Sequence, residues 1–266
     1  MMLYCGDCLD LMREIPDGSV DMVLCDLPYG VLNRSNPHAQ WDRPLPTDKL
    51  WDHWKRVCKP NAAIVLFGQG MFTADLMKSN PKMWRYNLVW DKNRATGFLN
   101  ANRQPLRYHE DILVFYDKQP IYHPQMEDLN GREPNHAQGH GKHKEKNQCY
   151  GDVGRINTAY YDKKHPRSIV AINAVHCSEG QAHPTQKPVA LMEYLIKTYT
   201  DPGDTVLDNC MGSGTTGVAA VNTRRGFIGM EICPEYFEIA KSRIDEAKTM
   251  RAFEEAQTSL FKESET

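Results

Sequence analysis

The sequence lacks long apolar runs, an excess of positive charge and a cysteine framework, and each absence excludes a class of protein. No apolar run approaches the length of a membrane-spanning helix, and the N-terminal residues lack the charged start and apolar core of a signal peptide. The eight cysteines are spread through apparent strands and helices, which predicts reduced thiols in a cytoplasmic protein. Cys5-x-x-Cys8 has no second pair at zinc spacing, which argues against a zinc or redox site there.

The overall charge is slightly negative, so a nucleic-acid partner would need a local basic surface. The net charge is −2 and the isoelectric point is about 6.5. Residues 132–167 carry eight Lys/Arg against four Asp/Glu, a local balance of +4 with four histidines besides. Such a segment suits phosphate contacts, although a solvated loop has the same composition. His136, His140 and His143 have a spacing that could bind a metal, but no obvious fourth ligand accompanies them, and we expect no metal site.

Seven short apolar runs predict the strands of a single sheet. At 266 residues the chain can bury a substantial core, and one α/β domain with insertions is the expectation. The predicted strands are 3–5, 20–25, 62–67, 86–90, 112–116, 205–207 and 226–231. Helical periodicity separates them, with Asp7, Thr47 and Thr185 as predicted N-caps and a last helix from 234 to about 248.

A Gly-rich stretch follows the sixth predicted strand and leads into a helix; it reads Asp208-Asn209-Cys210-Met211-Gly212-Ser213-Gly214-Thr215-Thr216-Gly217. Glycines at such a junction let backbone N–H groups approach a ligand, and a helix N-terminus favours negative charge. The spacing fits the dinucleotide fingerprint of a nicotinamide or flavin enzyme. Four residues separate these glycines from the strand, however, and a second motif follows the second predicted strand. That motif, Asp26-Leu27-Pro28-Tyr29, has no use in a dehydrogenase.

Together the two motifs resemble those of the S-adenosylmethionine-dependent DNA amino-methyltransferases. That family carries a D-P-P-Y catalytic motif and an acidic, Gly-rich cofactor motif ending in G-S-G-T, and the order seen here resembles its β-class permutation. The resemblance covers the chain from about Leu3 to Asp245. It implies a Rossmann-like α/β methyltransferase fold, with a mixed seven-stranded sheet, helices on both faces, a circularly permuted motif order and a loop-rich recognition insertion. It also implies methyl transfer from S-adenosylmethionine to an exocyclic amine of duplex DNA.

The resemblance makes Asp26-Leu27-Pro28-Tyr29 the catalytic motif. Asp26 and a backbone carbonyl of Leu27 or Pro28 would hold the two hydrogens of the amine and bias its nitrogen toward a tetrahedral, attacking form. Tyr29 would stack on a base that has left the duplex. Leu27 replaces the family's first Pro, and we expect little loss because that position acts through its backbone. Cytosine-N4 enzymes more often carry Ser at position 26, so an Asp there favours adenine-N6.

The resemblance assigns the cofactor to residues from both ends of the chain. Asp7 and Cys8 would lie near the adenine of S-adenosylmethionine, and Glu231 is spaced to meet its ribose hydroxyls. The segment 183–188, His-Pro-Thr-Gln-Lys-Pro, resembles a family segment beside the methionine end, where Lys187 could pair with the carboxylate; capping alone would leave Lys187 unexplained. Asn209-Cys210 replaces the family's Pro-Phe, which puts cofactor affinity in question. The predicted cofactor-binding residues are Asp7, Cys8, Asp26, Thr185, Lys187, Asp208, Asn209, Cys210, Gly212, Ser213, Gly214, Thr215, Glu231 and Ile232.

The loops between the motifs are the predicted DNA contacts. Residues 31–46 follow the catalytic motif and could close over a flipped base, although a disordered surface loop is the alternative. Residues 117–182 would be the target-recognition insertion, with a linker between two domains as the alternative. His109 and Glu110 are interpreted as loop-holding or DNA-proximal, because amino methylation needs no strong general base. The predicted DNA-binding residues are Asn33, Arg34, Gln40, Trp41, Arg94, Arg107, His109, Lys142, Lys144, Lys146 and Arg155.

The predicted organisation is a catalytic half at 1–116, the insertion at 117–182, a cofactor-binding half at 183–248 and a polar tail at 249–266. The tail sequence Gln257-Thr258-Ser259-Leu260-Phe261 resembles the peptide by which bacterial DNA enzymes bind the replication sliding clamp, through Gln257, Leu260 and Phe261. Packing on the protein's own surface or on a partner subunit is the alternative. The resemblance also implies a homodimer in the cytoplasm of a bacterial or phage-infected cell. Rival functions are cytosine-N4 or RNA-base methylation, a catalytically silent nucleic-acid-binding member, and the nicotinamide enzyme.

Overall fold

The computed structural model describes residues 1–31, 42–128, 163–175 and 186–264, the last seven of these as backbone only. Two compact units are present. The larger consists of Met1–His123 with Ser168–Thr266, and the smaller is Pro124–Arg167. The predicted insertion at 117–182 is therefore wider than the smaller unit, because residues near both of its ends belong to the larger one.

Eight strands of the larger unit form one sheet, and two short strands pair within the smaller unit. In chain order the strands are β1 (Met2–Cys5), β2 (Val20–Cys25), β3 (Cys58–Gly68), β4 (Trp84–Thr96), β5 (Arg107–Phe115), β6 (Glu127–Asp128), β7 (Lys163–Lys164), β8 (Ile169–Ala171), β9 (Thr205–Asp208) and β10 (Gly226–Glu231). The helices are α1 (Cys8–Leu11), α2 (Thr47–Val57), α3 (Met71–Ser79), α4 (Val189–Tyr199), α5 (Thr215–Asn222) and α6 (Pro234–Ser264). Short 3₁₀ helices cover Met12–Glu14 and Phe98–Asn100.

The strand order in the large sheet is β1-β10-β9-β2-β3-β5-β4-β8. The first five strands run parallel, and β5 is antiparallel to both β3 and β4. A mixed sheet with the permuted motif order is thus confirmed. Because β2, β9 and β10 are parallel neighbours, the residues at their carboxyl ends meet at one edge, where open α/β sheets bind ligands.

The prediction of seven strands is wrong by one. The eighth, β8, pairs in parallel with β4, so that Val89 lies opposite Ile169 and Asp91 opposite Ala171. Only three residues long, β8 begins the apolar run of residues 169–175, which stands out from the polar segment around it but was not predicted as a strand, and β8 buries the side chain of Val170 alone. A strand this short carries too little alternation to be recognised without its neighbouring strand.

The core lies on both faces of the sheet, and alternate residues of β2 face each side. Met22 and Leu24 pack with α4, α5 and α6, whereas Val23 and Cys25 pack with α2 and α3. On the second face Trp54 of α2 is fully buried. Burying one such large apolar side chain contributes about 2 to 3 kcal/mol, so the helices on both faces hold the strand ends in place.

Two helix ends differ from the predictions. Thr47 is the first residue of α2 and Pro46 is the N-cap, without a side-chain capping hydrogen bond. The last helix continues through the predicted tail to Ser264. Ion pairs one turn apart support this extension, including Arg251–Glu255 at 2.6 Å, although each exposed pair contributes only about 0.3 to 0.5 kcal/mol. None of the described helices is both long and apolar enough to cross a bilayer.

Candidate active site

A cleft of about 1150 Å³ opens at the carboxyl ends of β2, β9 and β10. Asp26 directly follows β2, Asp208 ends β9 and Glu231 ends β10, so three neighbouring strands each deliver one carboxylate to this cleft. Residues from α1, β4, β5 and the segment before α4 also contribute to its lining. The two motifs, far apart in sequence, therefore share one cleft.

Asp26 is held from both sides by hydrogen bonds. The Tyr29 hydroxyl donates to Oδ1 at 3.0 Å, and Lys187 Nζ donates to Oδ2 at 2.5 Å. The Asp26 side chain is 23 % exposed, while Leu27 is buried. The Tyr29 ring stacks on Phe72, with centroids 4.6 Å apart. These contacts fix the direction of the carboxylate before any substrate arrives.

Lys187 links Asp26 to a second partly buried carboxylate, that of Glu110. Lys187 Nζ lies 3.2 Å from Glu110 Oε2, and Glu110 Oε1 lies 3.2 Å from Lys92 Nζ. Both lysine side chains are buried. The four groups Asp26, Lys187, Glu110 and Lys92, called here the charge chain, contain two acids and two bases. Since each buried charge has an opposite partner, the desolvation cost of the group is offset by mutual attraction.

The charge chain sets the protonation of its members. Burial raises the pKa of Asp26, and the Lys187 ammonium acts in the opposite direction. Burial also acts to raise the pKa of Glu110, but Lys187 and Lys92 outweigh it and hold that pKa below its usual value. Burial would lower the pKa of Lys187, whereas the two carboxylates raise it above its usual value. Lys187 therefore stays protonated beside Asp26.

The Gly-rich turn is organised by two acids. Asp208 accepts from Thr216 Oγ1 at 2.6 Å and from the Cys210 amide at 3.1 Å, and burial raises the pKa of Asp208 to about 6. Glu231 accepts from the Gly212 amide at 2.9 Å and from the Cys233 amide at 2.8 Å. These bonds tie the end of β9 and the start of α5 to the end of β10.

The two glycines of the turn have different tasks. Gly212 has a φ of +51° and lines the cleft, and a Cβ there would meet no atom within 4 Å. Gly214 has a φ of +79°, and a Cβ there would lie 2.8 Å from Cβ of Ala240 in α6. Gly214, predicted as a cofactor contact, is not among the cleft-lining residues and instead allows α5 and α6 to pack closely.

Asn209 and Cys210 are tied into the protein interior. The Asn209 carbonyl accepts from Trp54 Nε1 at 3.1 Å, and its amide nitrogen lies 3.4 Å from Cys210 Sγ and 3.8 Å from Cys8 Sγ. Burial and neighbouring groups raise the pKa of the Cys25 thiol to about 12, so it stays protonated. The residues that replace the family's Pro-Phe thus anchor the turn to α2.

One family model, for the N6/N4 DNA methylases, matches residues 20–242 of this chain. The chain belongs to this family of S-adenosylmethionine-dependent DNA amino-methyltransferases. Among named relatives, the Type II methyltransferase M.BglII of Bacillus subtilis is 30 % identical, over 90 % of this chain and 67 % of its own length. M.HpaI of Haemophilus parainfluenzae is 26 % identical, over 91 % of this chain and 74 % of its own length.

Solved structures show that this DNA methyltransferase shares its fold with other DNA methylases. The M1.HpyAVI–SAM complex is 24 % identical with a TM-score of 0.60, covering 91 % of this chain and 98 % of that one. The PvuII DNA methyltransferase, described as cytosine-N4-specific, is 17 % identical with a TM-score of 0.64, covering 94 % of this chain and 90 % of that one. The Rossmann-like methyltransferase fold is therefore confirmed, and membership of the family confirms the cofactor, S-adenosylmethionine.

The donor set of the methyltransferase fits S-adenosylmethionine. Glu231 offers carboxylate oxygens suited to ribose hydroxyls, and the open space beside Gly212 leaves the backbone accessible to a ligand. Asp7, which caps α1 through its bond from the Leu9 amide at 2.9 Å as predicted, lines the same cleft with Cys8 and the exposed Ile232. Ser213 and Thr215 line it as well.

Lys187 lies in the cleft, but its ammonium pairs with Asp26 and Glu110. The sequence prediction considered only the cofactor carboxylate as its partner. The family resemblance pointed to Lys187, but nothing in the sequence indicated contact with residues 161 and 77 positions away.

The structure brings some predicted DNA contacts to the cleft and leaves others beside it. Arg94 lines the cleft, whereas the exposed Arg107 and His109 lie on β5 and both contact Gln69. The predicted residues Asn33, Arg34, Gln40, Trp41, Lys142, Lys144, Lys146, Arg155 and Thr185 lie outside the described residues, as do His136, His140 and His143. Within the described ranges, no three His, Cys, Asp or Glu side chains form a cluster that could hold a metal ion.

Sequence reasoning missed Asp42, a buried residue 13 positions after Tyr29. Its carboxylate accepts from the Gly30 amide at 2.9 Å and the Val31 amide at 2.8 Å. These are the two residues directly after Tyr29, so Asp42 holds the end of the catalytic motif. The sequence offered a weak signal, because a lone acid in a polar loop is usually solvated.

Proposed function

We propose that this methyltransferase transfers methyl from S-adenosylmethionine to adenine-N6 of a base flipped out of duplex DNA, at a specific sequence. The observation that carries this proposal is the position of the Asp26 carboxylate, held in one cleft with Gly212 and Glu231 of the cofactor motif. An Asp at this position supports adenine, since cytosine-N4 enzymes of the family more often carry Ser there. The presence of Pro28 and Tyr29 argues against a catalytically silent protein.

Asp26 can grip the substrate amine without losing its own partners. Each carboxylate oxygen offers two acceptor sites, so Oδ1 can accept from both the Tyr29 hydroxyl and an amine hydrogen. A backbone carbonyl of Leu27 or Pro28 would take the second amine hydrogen. When bound, S-adenosylmethionine supplies a methyl on a sulfonium, open to in-line attack by the nitrogen. As the N–C bond forms, the bond from sulfur to the methyl would break with its electron pair left on sulfur, releasing S-adenosylhomocysteine, and the Asp26 carboxylate would accept the proton that the nitrogen loses.

The test of this function is the chemical identity of the product and its dependence on Asp26. Genomic DNA from a host expressing the protein should contain N6-methyladenine in one sequence context, as detected by methylome sequencing. Asp26→Asn should lose more than about a hundredfold in kcat because an amide cannot accept the amine proton, and calorimetry should show that S-adenosylhomocysteine still binds. Asp10→Asn, an exposed carboxylate of α1, is the matched control.

Cytosine-N4 is the second candidate acceptor. The family that this chain belongs to includes both N6 and N4 methylases, so family membership is consistent with either acceptor. N4-methylcytosine in place of N6-methyladenine among the nucleosides of the digested genome would decide for it.

Duplex DNA would contact the rim of the cleft through Arg94, Arg107 and His109, together with the predicted residues outside the described ranges. Phosphate contacts of this kind release counterions, so affinity should fall steeply with salt. A plot of the logarithm of the DNA-binding constant against the logarithm of the salt concentration has a negative slope. Replacing Arg94 and Arg107 together should reduce the magnitude of that slope by about two if both bind phosphates.

We further propose a homodimer in the cytoplasm of a bacterial or phage-infected cell, and sliding-clamp binding through Gln257, Leu260 and Phe261. The backbone of these three residues continues α6, and Gln257 is exposed. If deleting 257–261 leaves affinity for a purified clamp unchanged, the clamp proposal is wrong. Sedimentation velocity of the intact protein tests the dimer.

A further inference from the structure

A hairpin beside the active-site cleft presents two apolar side chains to solvent. Strands β4 and β5 pair as far as Thr96 and Arg107, and the chain between them turns through Gly97. Phe98 is 66 % exposed and Leu99 is 101 % exposed. Fully exposed adjacent apolar side chains at a loop tip are unfavourable in water unless a partner covers them. We call this pair the hairpin tip.

The hairpin tip is built on an ordered turn. Gly97 has a φ of +86°, which favours glycine, and a 3₁₀ helix covers Phe98–Asn100. Backbone hydrogen bonds close the turn, including Asn100 N to Gly97 O at 2.9 Å and Arg103 N to Asn100 O at 2.9 Å. At its base, the Thr96 hydroxyl donates to the Arg107 carbonyl at 3.2 Å. The two side chains are therefore held outward by a defined backbone conformation.

The charge around the hairpin tip matches a polyanion. Residues 92–109 contain four Lys/Arg and no Asp/Glu, in a chain whose net charge is −2. Lys92 is neutralised inside by Glu110, but Arg94, Arg103 and Arg107 are all exposed. Cations flanking an apolar tip suit a partner with a charged backbone and an apolar interior, which describes stacked duplex DNA.

The hairpin tip also adjoins the reaction centre. Gly97 and Phe98 line the same cleft as Asp26, and Leu99 follows directly. A base that reaches Asp26 must leave the duplex, and the gap it leaves breaks two stacking contacts. Apolar side chains inserted between base steps are a general means of compensating for unstacking.

We propose that Phe98 and Leu99 enter the base stack of duplex DNA and fill the space that the target base leaves. This inference rests on the proposed function, because it requires a flipped base in the Asp26 cleft. It assigns to the hairpin tip a role in extruding the base, separate from phosphate contact by the neighbouring arginines and from the chemistry at Asp26.

The test compares two duplexes that carry the methylated sequence. In one, the target base is normally paired; in the other, it lies opposite an abasic site and is already weakly held. The Phe98→Ala/Leu99→Ala variant should lose roughly tenfold to a hundredfold in kcat/KM on the paired duplex, since unstacking costs a few kcal/mol. On the abasic duplex its loss should be less than about threefold. With 2-aminopurine at the target position, the variant should give a smaller fluorescence increase than the wild type.

The matched control is Met250→Ala/Phe253→Ala, which removes two exposed apolar side chains from α6. It should behave as the wild type on both duplexes. Equal losses for the hairpin variant on the two duplexes would mean ordinary DNA contact and overturn the proposal, as would no loss on either. A changed sedimentation coefficient for the hairpin variant would assign the tip to contact between subunits instead. If the wild type methylates neither duplex, the proposed function itself fails.

Discussion

At the scale of single residues, the ion pair between Lys187 and Asp26 has the largest consequence for the proposed reaction. In that reaction Asp26 would have to be ionised to accept an amine hydrogen, yet burial favours its neutral form. Lys187, 2.5 Å from Oδ2, opposes this effect. Glu110 and Lys92 in turn hold Lys187 in place. Lys187 therefore favours the ionised form of Asp26, whereas the nearby charge of Glu110 itself acts to raise the pKa of Asp26.

Replacing Lys187 by Met should shift the pH dependence of kcat. Without the ammonium, the pKa of Asp26 rises, so activity is lost at a higher pH as the solution is acidified. Loss of an opposite charge at this distance should move the acidic limb upward by about one to three pH units. Discontinuous activity assays at saturating cofactor from pH 5 to 9 measure the acidic limb of the kcat profile. Lys187→Arg, which keeps the positive charge, is the control. A limb that stays in place would show that Lys187 does not govern Asp26.

Asp208 should make the protein less stable as pH rises. Its folded-state pKa, raised by burial from 3.8 to about 6, lies above the unfolded value. The folded state therefore binds the proton more tightly, and this contribution is fully present below about pH 4 and lost as pH rises through 6. Its full size is about 3 kcal/mol. The free energy of unfolding, measured with urea, should differ less between pH 4 and pH 8 for Asp208→Asn than for the wild type. If the pH dependence is the same for both proteins, Asp208 does not couple stability to pH.

At the scale of elements, the strand–helix junction between β9 and α5 separates a binding role from a packing role. Both Gly212 and Gly214 have positive φ, but only Gly214 is pressed against α6. Gly212 faces open space in the cleft, and its amide is fixed by Glu231. The same short motif therefore leaves space in the cleft at one glycine and joins two helices at the other.

Alanine at these two positions should differ in how much it destabilises the protein and in whether it weakens ligand binding. Gly214→Ala should lower the free energy of unfolding by about 3 kcal/mol or more, because positive φ strain adds to overpacking against Ala240. Gly212→Ala should cost only the strain, about 1 to 2 kcal/mol, and should weaken S-adenosylhomocysteine binding because its methyl enters the cleft. Chemical denaturation and calorimetry on both variants measure the two effects. The reverse ranking would refute this division of roles.

At the scale of the whole molecule, the cleft joins strands from both ends of the chain, so ligand binding should stabilise the entire larger unit. β1 and β2 come from the beginning of the sequence, and β9 and β10 from near its end. The parallel pairing of β1 with β10 and of β2 with β9 joins them. The cleft therefore forms only when these strands from both ends of the chain have folded into one sheet.

S-adenosylhomocysteine should raise the melting temperature, whereas NAD should not. At a ligand concentration of 100 times Kd, binding to the folded state alone adds about 2.7 kcal/mol. For a chain of this size that corresponds to a rise of about 5 to 10 °C. Differential scanning fluorimetry with matched concentrations of the two compounds measures the shifts. If NAD raised the melting temperature and S-adenosylhomocysteine did not, the Gly-rich motif would be a nicotinamide-binding motif instead.

Local sequence determined much of the site, because a strand end and a turn are short-range features. The apolar run of β2 places Asp26 at its end, and the glycines after β9 mark the cofactor turn; both were predictable from neighbouring residues alone. The pairing of Lys187 with Asp26, the position of Glu110 between two lysines and the addition of β8 to the sheet were decided by tertiary structure. These contacts join segments up to 161 positions apart, and hydrophobic periodicity, which reports only which face of an element is buried, carries no information about which distant charges will meet there.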